Sequence, residues 1–334
     1  MIKLYKLTIF VAIFSMLFSC SVFAESKISS GKFKTIFEFE DGDAANQLLW
    51  IKDVDGTPNI GTLQGPMAFV TMANGDLWVA DTQNARFCLF AKDGKRIKEI
   101  DLIKLGKEAG LSNPPAMADF CVSNGKIIAA DAASNAVLEI NPETNKMRVF
   151  NPAANGKGSW FQITHVYTDD KERIYVDDIV NGKITVLDKD GVYLGENVAA
   201  CIAVSPKDSS MACIHYLEET EGESEISVYQ LATNTGFDTP WKVASIVDNN
   251  DTIMYVSIIG IDKENNIYVL YETEYTRYYN IYGSDGKLLR TIETSPINSS
   301  YNPARPDWID ESGNIYTVNI QKNVLRIMKL VNEE

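Results

Sequence analysis

The feature that most constrains the fold is a repeated unit of short strands, which is clearest in Gly75–Ile100. This unit contains the segments LWVA, ARFCLFA and KRIKEI, separated by a polar DTQN loop and a KDG turn. Short segments rich in β-branched and aromatic residues, bounded by Asn, Asp and Gly, are typical of strands joined by tight turns. The unit therefore predicts antiparallel strands connected by hairpins and short loops.

Variants of this unit recur to the end of the chain. The second residue of each LWVA-like strand marks one copy, and these residues are Trp78, Ile128, Tyr175, Ala212, Tyr268 and Tyr316. Their spacings are 50, 47, 37, 56 and 48 residues. A strand-only repeat of about 40–50 residues is typical of a β-propeller with four strands in each blade. We therefore predict an all-β protein, a six-bladed β-propeller of four-stranded antiparallel blades, with the fourth blade most divergent.

The two ends of the chain contain complementary strands. The last unit stops after its third strand, at Val331, and the alternating segment Phe33–Glu40 could supply the missing outer strand. Pairing of this segment with Val324–Leu330 would close the ring and leave no open sheet edge. We therefore expect residues 30–331 to form a single propeller domain that is closed by its N-terminal strand.

The repeat also resembles a known family. The segment LWVADTQNARFCLF followed by KDGK is similar to the NHL repeat, in which a strand ending in Asp precedes a loop with Asn, another strand and a DG turn. Five units match in part, whereas the fourth lacks the Asp, the Asn and the DG turn. The resemblance covers nearly all of residues 30–331 and implies a propeller fold. It leaves the function open, because NHL-like propellers include binding modules and enzymes.

The first residues have the pattern of an export signal. Lys3 and Lys6 precede the apolar run Leu7–Phe18, and residues 22–24 offer a cleavage site after Ala24. The apolar run is shorter than the roughly 20 residues that a transmembrane helix needs. Residues 1–24 are therefore predicted to be a signal peptide, and the protein is expected to be periplasmic or secreted.

An alternative interpretation of the same region concerns Cys20. The segment Leu17-Phe18-Ser19-Cys20 resembles a bacterial lipobox, in which the cysteine receives a lipid and becomes the new N-terminus. The protein would then be lipid-anchored in the cell envelope. Both interpretations imply export.

The charge of the chain limits its partners. The formal net charge is −14, and loss of the two lysines in residues 1–24 would make it about −16. Nucleic acids and anionic membranes require basic surfaces, and the sequence contains no basic run. We therefore expect no nucleic-acid partner, and a protein, a glycan or another small molecule as the ligand.

Four cysteines follow the export segment, namely Cys88, Cys121, Cys201 and Cys213. The absence of a CxxC pair argues against a zinc ribbon or a thioredoxin-like site. Cys201 and Cys213 flank a predicted turn at 205–208, so they could form a disulfide across a hairpin. The alternative is that all four are small buried residues within strands.

Three aspartates recur at the end of the LWVA-like strand, and we assign them to Asp81, Asp131 and Asp177. A ring of carboxylates for cations is one interpretation, but an Asp that accepts hydrogen bonds from loop amides explains the repetition better. The same structural role is expected for the loop asparagines Asn84, Asn135 and Asn181.

Residues that do not repeat are the better candidates for a binding site. Loops that lead into the inner strands and loops that follow the second strands should gather on one face around the central channel. Aromatic, imidazole and guanidinium groups at that position suit a sugar, a peptide or a carboxylate. The predicted ligand-binding residues are Trp160, His165, Tyr301, Arg305 and Trp308. The alternative for the two tryptophans is packing between blades.

A metal site would have to use oxygen ligands. The chain has only two histidines, which excludes a three-histidine zinc site and makes Ca²⁺ the more plausible metal. Asp119, Asp251 and Asp307, near the inner strands, are the candidate ligands. Such a site would resemble that of gluconolactonase-type six-bladed lactonases, although the Glu and Asn that complete those sites have no clear counterpart. No other cofactor is expected.

No catalytic residue can be assigned, because the chain lacks a nucleophile elbow, a P-loop and a dinucleotide fingerprint. The sequence thus favours an exported, non-catalytic binding propeller that recognises a small ligand, a glycan or a protein on its channel face. A divalent-metal-dependent lactonase, hydrolase or lyase is the alternative. A component of an envelope assembly that docks through the side of the propeller is a third option.

Overall fold

The computed structural model describes residues 27–50, 65–151, 160–198, 202–216, 224–232, 236–237, 241–246, 253–297, 303–321 and 323–332. Within these ranges the protein is all-β apart from one short helix, α1 (Leu102–Glu108), and a 3₁₀ turn at Thr82–Asn84. A search of the described residues finds no helix with the length and apolar character needed to cross a membrane.

The first half of the chain forms repeated four-stranded antiparallel sheets. It begins with the long strand β1 (Lys27–Asp41) and the short β2 (Gln47–Leu48). The first sheet contains β3 (Ala68–Thr71), β4 (Leu77–Asp81), β5 (Arg86–Phe90) and β6 (Arg96–Asp101). The second contains β7 (Met117–Ser123), β8 (Lys126–Asp131), β9 (Ala136–Asn141) and β10 (Lys146–Phe150). The third contains β11 (Ile163–Thr168), β12 (Ile174–Asp178), β13 (Lys183–Leu187) and β14 (Tyr193–Val198).

The fourth sheet departs from this pattern, as the divergent fourth repeat predicts. Its strands are β15 (Ile202–Val204), β16 (Ser210–Tyr216), β17 (Ser224–Ala232), β18 (Gly236–Phe237) and β19 (Trp241–Ile246). Both β18 and β19 pair with different parts of β17. The outer edge is therefore split between two strands.

The remaining strands and β1 belong to one larger sheet. Its first part is the antiparallel set β20 (Tyr255–Ile261), β21 (Ile267–Glu272), β22 (Arg277–Tyr282) and β23 (Leu288–Thr294). Its second part is the antiparallel set β24 (Asp307–Ile309), β25 (Ile315–Gln321) and β26 (Val324–Asn332).

Strand β1 joins the start of the chain to its end. Phe33 lies opposite Leu330 and Glu40 opposite Val324, so the antiparallel pairing expected from the sequence is present. In addition, Lys27 to Ser30 pair in parallel with β23. The sequence did not predict this second contact, which connects the two parts of the larger sheet.

The inner strands of successive sheets pack beside one another. Contacts run from β3 to β7, from β7 to β11, from β11 to β15, from β15 to β20 and from β20 to β24. The rings of Phe69 in β3 and Trp308 in β24 are stacked with centroids 5.5 Å apart, which brings the first and last inner strands together. Repeated antiparallel sheets arranged in this way are a β-propeller.

Apolar side chains from neighbouring sheets form the core. Between the first and second sheets, Phe87 and Phe120 are fully buried, with ring centroids 4.9 Å apart. Leu102 and Leu105 of α1 join the same cluster. The helix begins after Asp101, whose side chain accepts a hydrogen bond from the Lys104 amide and so caps its N-terminus. Burial of apolar surface between sheets therefore stabilises the arrangement.

A second repeated contact fixes the hairpins between inner and second strands. In three hairpins, an Asp directly after the inner strand accepts hydrogen bonds from hairpin amides and from a tyrosine hydroxyl six residues later. The pairs are Tyr175–Asp169 (3.0 Å), Tyr268–Asp262 (3.1 Å) and Tyr316–Asp310 (2.9 Å). The tyrosine at the second position of these LWVA-like strands therefore has a structural role, which is to support the hairpin before it.

Candidate functional site

Two cavities lie along the channel that the inner strands surround. We call the side that carries the loops before the inner strands and after the second strands the loop face. The opposite side, which carries the hairpins between inner and second strands, is the hairpin face. The loop-face cavity has a volume of about 750 Å³ and the hairpin-face cavity one of about 480 Å³. His165 and Ala304 line both, so they lie between the two cavities.

The wall of the loop-face cavity combines polar and apolar side chains. The polar residues come from inner strands and the loops before them, from second strands and the loops after them, and from the start of one third strand. They include Gln162, Thr164, His165, Glu272, Thr273, Arg277 and Thr317. Phe161, Met254 and Tyr275, which belong to loops of the same face, are each 71% exposed. A polar cavity near exposed apolar side chains is a common composition for a binding site.

His165 is held at the centre of the channel by two contacts. Its Nε2 lies 3.1 Å from the carbonyl oxygen of Ala304, which can only accept, so Nε2 donates. Its Nδ1 lies 3.4 Å from Oδ2 of Asp177. Burial lowers the pKa of His165, but the carboxylates of Asp177 and Asp119 outweigh this effect and the pKa is raised. The site therefore favours the imidazolium form.

Arg305 reaches the same centre from the segment before β24. Its Nη2 lies 2.5 Å from Oδ2 of Asp119 and 2.8 Å from the carbonyl oxygen of Val166. The guanidinium also lies over the ring of Tyr167, 4.3 Å from its centroid. Burial lowers the pKa of Arg305, but Asp119 raises it more, so this arginine stays charged. Because Asp119 also accepts the amide of Val166, it connects β7, β11 and the segment before β24.

A second buried arginine lies beside the loop-face cavity. Arg277 forms ion pairs with Glu272 and, at 3.2 Å, with Oδ1 of Asp307. The hydroxyl of Tyr279 donates to the same Oδ1 at 2.8 Å. Burial lowers the pKa of Arg277, but Asp307, Tyr279 and Glu272 raise it more. The guanidinium is therefore neutralised by protein carboxylates.

Several buried polar atoms around His165 lack a hydrogen-bond partner among the described residues. These atoms are Asp119 Oδ1, Thr164 Oγ1, Asp177 Oδ1 and Arg305 Nε, whereas His165 Nδ1 has only the 3.4 Å contact with Asp177. An unsatisfied buried polar group costs about 1–3 kcal/mol, and most proteins contain only a few. Because these atoms lie close together in the channel, they identify its centre as a candidate functional site.

The aspartate repeat needs one correction. Asp178, and not Asp177, is the counterpart of Asp81 and Asp131, because it accepts the amides of Phe161 at 2.7 Å and Gln162 at 3.1 Å. It also accepts from the side chain of Asn181 at 2.7 Å. Side chains alternate along a strand, so the preceding residue points the opposite way.

Asp177 therefore occupies a position that is alanine in the first two sheets, at Ala80 and Ala130. The presence of a charged residue where the repeat has alanine could have identified Asp177 from the sequence. Tyr167, under the Arg305 guanidinium, was also missed, and no comparable pattern marks it.

The loop aspartates are used as structural acceptors. Asp131 accepts the amides of Ala116 at 2.7 Å and Ala133 at 3.1 Å. Asp81 accepts the Leu49 amide at 3.2 Å and forms an ion pair with Arg86 at 2.7 Å. These contacts agree with a role in fixing the loops.

The two predicted tryptophans lie in the packing between sheets. Trp160 is buried, and its Nε1 donates to the hydroxyl of Thr185 at 3.1 Å. Trp308 is also buried, stacks on Phe69 and donates from Nε1 to Thr71 Oγ1 at 3.2 Å. Of the predicted ligand-binding residues, the structure thus brings His165 and Arg305 together at the channel centre.

The remaining predicted residues have different positions. Tyr301 and Asp251 lie outside the described residues. Asp119 and Asp307 each form an ion pair with a different arginine. In the part of the chain that the structure describes, no three His, Cys, Asp or Glu side chains form a group suited to a metal ion. The Ca²⁺ site stays a prediction.

The described thiols include two that are unreactive. Burial raises the pKa of Cys88 and of Cys121 to about 12, so both are protonated at neutral pH. Cys201 lies outside the described residues, so the predicted disulfide with Cys213 stays a prediction.

Comparisons with known proteins yield distant structural neighbours. No protein-family model and no curated protein sequence matches the chain. Virginiamycin B lyase from Staphylococcus aureus is 13% identical, with a TM-score of 0.49 over 90% of this chain and 99% of the lyase. Hydrazine synthase from Kuenenia stuttgartiensis is also 13% identical, with a TM-score of 0.49 over 79% of this chain and 76% of that chain. A gluconolactonase from Xanthomonas campestris is 14% identical, with a TM-score of 0.47 over 80% and 85%.

Proposed function

We propose that this protein is an exported, non-catalytic binding module that recognises its ligand in the loop-face cavity. The proposed domain spans residues 30–331, with the four-stranded sheets as six blades of an NHL-like propeller and β1 as the strand that closes the ring. Residues 1–24 are proposed to be removed as a signal peptide, with lipid attachment at Cys20 as the alternative. A mass measurement of the mature N-terminus distinguishes these two outcomes.

The group of unpartnered polar atoms around His165 is the observation that carries the proposal. Thr164 of this group and His165 line the loop-face cavity. Unpartnered buried polar groups beside an open cavity lower the stability of a protein, and ligand binding is a common reason for that loss. Asp177, which replaces the alanine of the repeat, and Thr164, which lines the cavity, both belong to this group.

The charges around the cavity narrow the class of ligand. Four carboxylates, from Asp119, Asp177, Glu272 and Asp307, accompany two guanidinium groups and one imidazole. The sum of these charges is negative whether or not His165 is protonated, and the whole chain carries −14. An anionic ligand is therefore disfavoured. A glycan, a neutral small molecule or a basic protein segment fits the polar wall and the exposed Phe161, Met254 and Tyr275 nearby.

The test uses two variants that each introduce a tryptophan at an exposed position. Ala132→Trp fills the loop-face cavity from an exposed position in its wall, whereas Val192→Trp adds an indole at an exposed position outside both cavities. Wild-type protein is applied to a glycan array and a basic-peptide array, and each hit is measured by calorimetry. We expect Ala132→Trp to weaken binding at least tenfold and Val192→Trp to leave it unchanged. Hits that both variants bind equally would place recognition elsewhere.

The alternative of a metal-dependent lactonase is tested separately. Metal analysis of the purified protein is combined with a panel of lactones and esters in the presence of Ca²⁺ and of a chelator. Stoichiometric Ca²⁺ together with turnover that the chelator abolishes would replace the binding function by a catalytic one. Absence of turnover across the panel is the result that the binding proposal predicts.

A further inference from the structure

The hairpin-face cavity differs in chemistry from the loop-face cavity. Most of its wall is apolar and comes from the inner strands of several sheets, with Val70 from β3, Val122 from β7, Val204 from β15 and Ile258 from β20. Its volume of about 480 Å³ lies within the range of pockets that enclose small molecules. The contact between His165 and Ala304 lies between it and the loop-face cavity.

Several polar residues interrupt the apolar wall, and two of them are suited to donate a hydrogen bond to a ligand. One is Arg305, which lines the cavity and whose guanidinium lies on the ring of Tyr167. The other is Thr71, which accepts the indole N–H of Trp308 and so keeps its hydroxyl hydrogen to donate. A molecule in this cavity would therefore match the wall best if it carried an acceptor oxygen.

The charges of this cavity favour a neutral molecule. The positive charge of Arg305 is compensated by Asp119, at 2.5 Å. Asp310 and Glu311, in the hairpin after β24, also line the cavity and would repel an anion. The same two carboxylates would attract a cation, but at the donor end of the cavity the Arg305 guanidinium would repel it. A ligand without net charge avoids both repulsions.

We propose that the hairpin-face cavity is a second binding site, which accepts a neutral and largely apolar small molecule with a carbonyl, ether or hydroxyl oxygen. The oxygen faces Arg305 and Thr71, and the apolar body contacts the aliphatic wall. This site is independent of the loop-face cavity, and its ligand differs in class from the polar ligand proposed there.

The probe for this proposal is prodan, a neutral naphthalene dye with one carbonyl group, compared with the same dye lacking its propionyl group. Binding is followed by the blue shift of the dye emission and by calorimetry on the full chain. We expect one prodan per protein and about tenfold weaker binding of the dye without the carbonyl, as the loss of one hydrogen bond implies.

Variants then locate the dye. Val122→Phe fills the hairpin-face cavity and should weaken prodan binding at least tenfold, whereas Ala132→Trp, in the loop-face cavity, should leave it unchanged. Met72→Trp, close to the hairpin turn at the edge of the same cavity, is a second blocking variant if circular dichroism shows that Val122→Phe is misfolded. Absence of binding, equal affinity for the two dyes, or loss of binding in Ala132→Trp alone would overturn the proposal.

Discussion

His165 and Asp177 are cross-strand neighbours at the centre of the channel, with Nδ1 of the imidazole 3.4 Å from Oδ2 of the carboxylate. The pair lies on adjacent strands of the third sheet, so the β-ladder sets its separation. Because Nε2 of the same ring donates to Ala304, a proton on Nδ1 produces an imidazolium that faces a buried carboxylate. This relationship makes His165 the most informative titratable group in the protein.

The first prediction concerns the pKa of that imidazole. Asp177 and Asp119 raise it above the usual value near 6.5, in spite of burial. Replacement of the neighbour in Asp177→Asn should lower it. Because the chain has only two histidines, NMR titration of labelled imidazole carbons can assign both with a His215→Gln variant. A His165 pKa at or below 6.5 in the wild type would contradict the prediction.

The same pair should make stability depend on pH. A raised pKa in the folded state means that the interaction stabilises fully below the unfolded value of about 6.5 and is lost as pH rises through the folded value. The difference in the free energy of unfolding between the wild type and Asp177→Asn should therefore be largest near pH 5.5 and should shrink above neutral pH. Urea denaturation at a series of pH values measures it. A difference independent of pH would argue against the pairing.

The second prediction concerns the ion pair of Arg305 and Asp119. Arg305→Met leaves a fully buried carboxylate without its partner, and we expect a loss of about 3–5 kcal/mol in the free energy of unfolding. The double variant Asp119→Asn with Arg305→Met removes both charges and should recover part of that loss. Chemical denaturation of the two single variants and the double variant measures the coupling. Additive losses would mean that the two side chains do not interact.

The third prediction separates two adjacent aspartates. Asp178→Ala removes the acceptor of the Phe161 and Gln162 amides and should cost about 1–3 kcal/mol. Burial raises the pKa of Asp178, but these amides outweigh it and the pKa is lowered, so the stabilisation is present above about pH 4 and lost as pH falls. Glu274→Ala, which removes an exposed carboxylate from another loop of the same face, is the control.

Urea midpoints at neutral pH and at acid pH test this prediction. We expect Asp178→Ala to lower the midpoint at neutral pH, with a smaller difference from the wild type near pH 3. Glu274→Ala should leave both midpoints unchanged. An equal effect of the two substitutions would show that Asp178 does not fix the loop.

The fourth prediction addresses the contact between the first strand and the first sheet. Phe39 of β1 is buried, and its ring centroid lies 4.6 Å from that of Phe90 in the first sheet. Because β1 pairs with β26, this residue connects the last sheet to the first. Phe39→Ala should cost about 3–5 kcal/mol. The matched control is Ile36→Ala, which truncates an exposed apolar residue of the same strand.

Chemical denaturation of the two β1 variants measures this effect. We expect a single, cooperative transition at a lower denaturant concentration for Phe39→Ala and little change for Ile36→Ala. Similar midpoints for Phe39→Ala and the wild type would show that the first strand does not help to hold the ring together.

The strand pattern could be read from the sequence because it is local. The pattern consists of alternating side chains, turn residues such as Asp93-Gly94 and a recurring strand that contains Trp78 in its first copy. Each of these is a property of neighbouring residues. Even the pairing of the two chain ends followed from a missing strand at one end and a spare strand at the other. The additional parallel contact of β1 with β23 had no local pattern and was not predicted.

The candidate site could not be predicted from the sequence, because its residues lie far apart along the chain. Arg305 pairs with Asp119 across 186 positions, and no periodicity connects the two residues. The position of Asp177 also depended on register, because a shift of one residue along β12 changes the face on which a side chain lies. Asp178, the true member of the repeat, and Asp177 differ by this one residue, so the sequence alone does not separate their roles.

The sequence by itself determined that the chain forms repeated antiparallel strands and that its ends are complementary, since both follow from alternation and turn chemistry within short segments. Only the tertiary structure decided that His165, Asp177, Asp119 and Arg305 meet in the channel and that two cavities of different chemistry lie on either side of Ala304. The reason is physical: side chains at a shared axis are brought together by the packing of separate sheets, and such packing is not encoded in any single repeat.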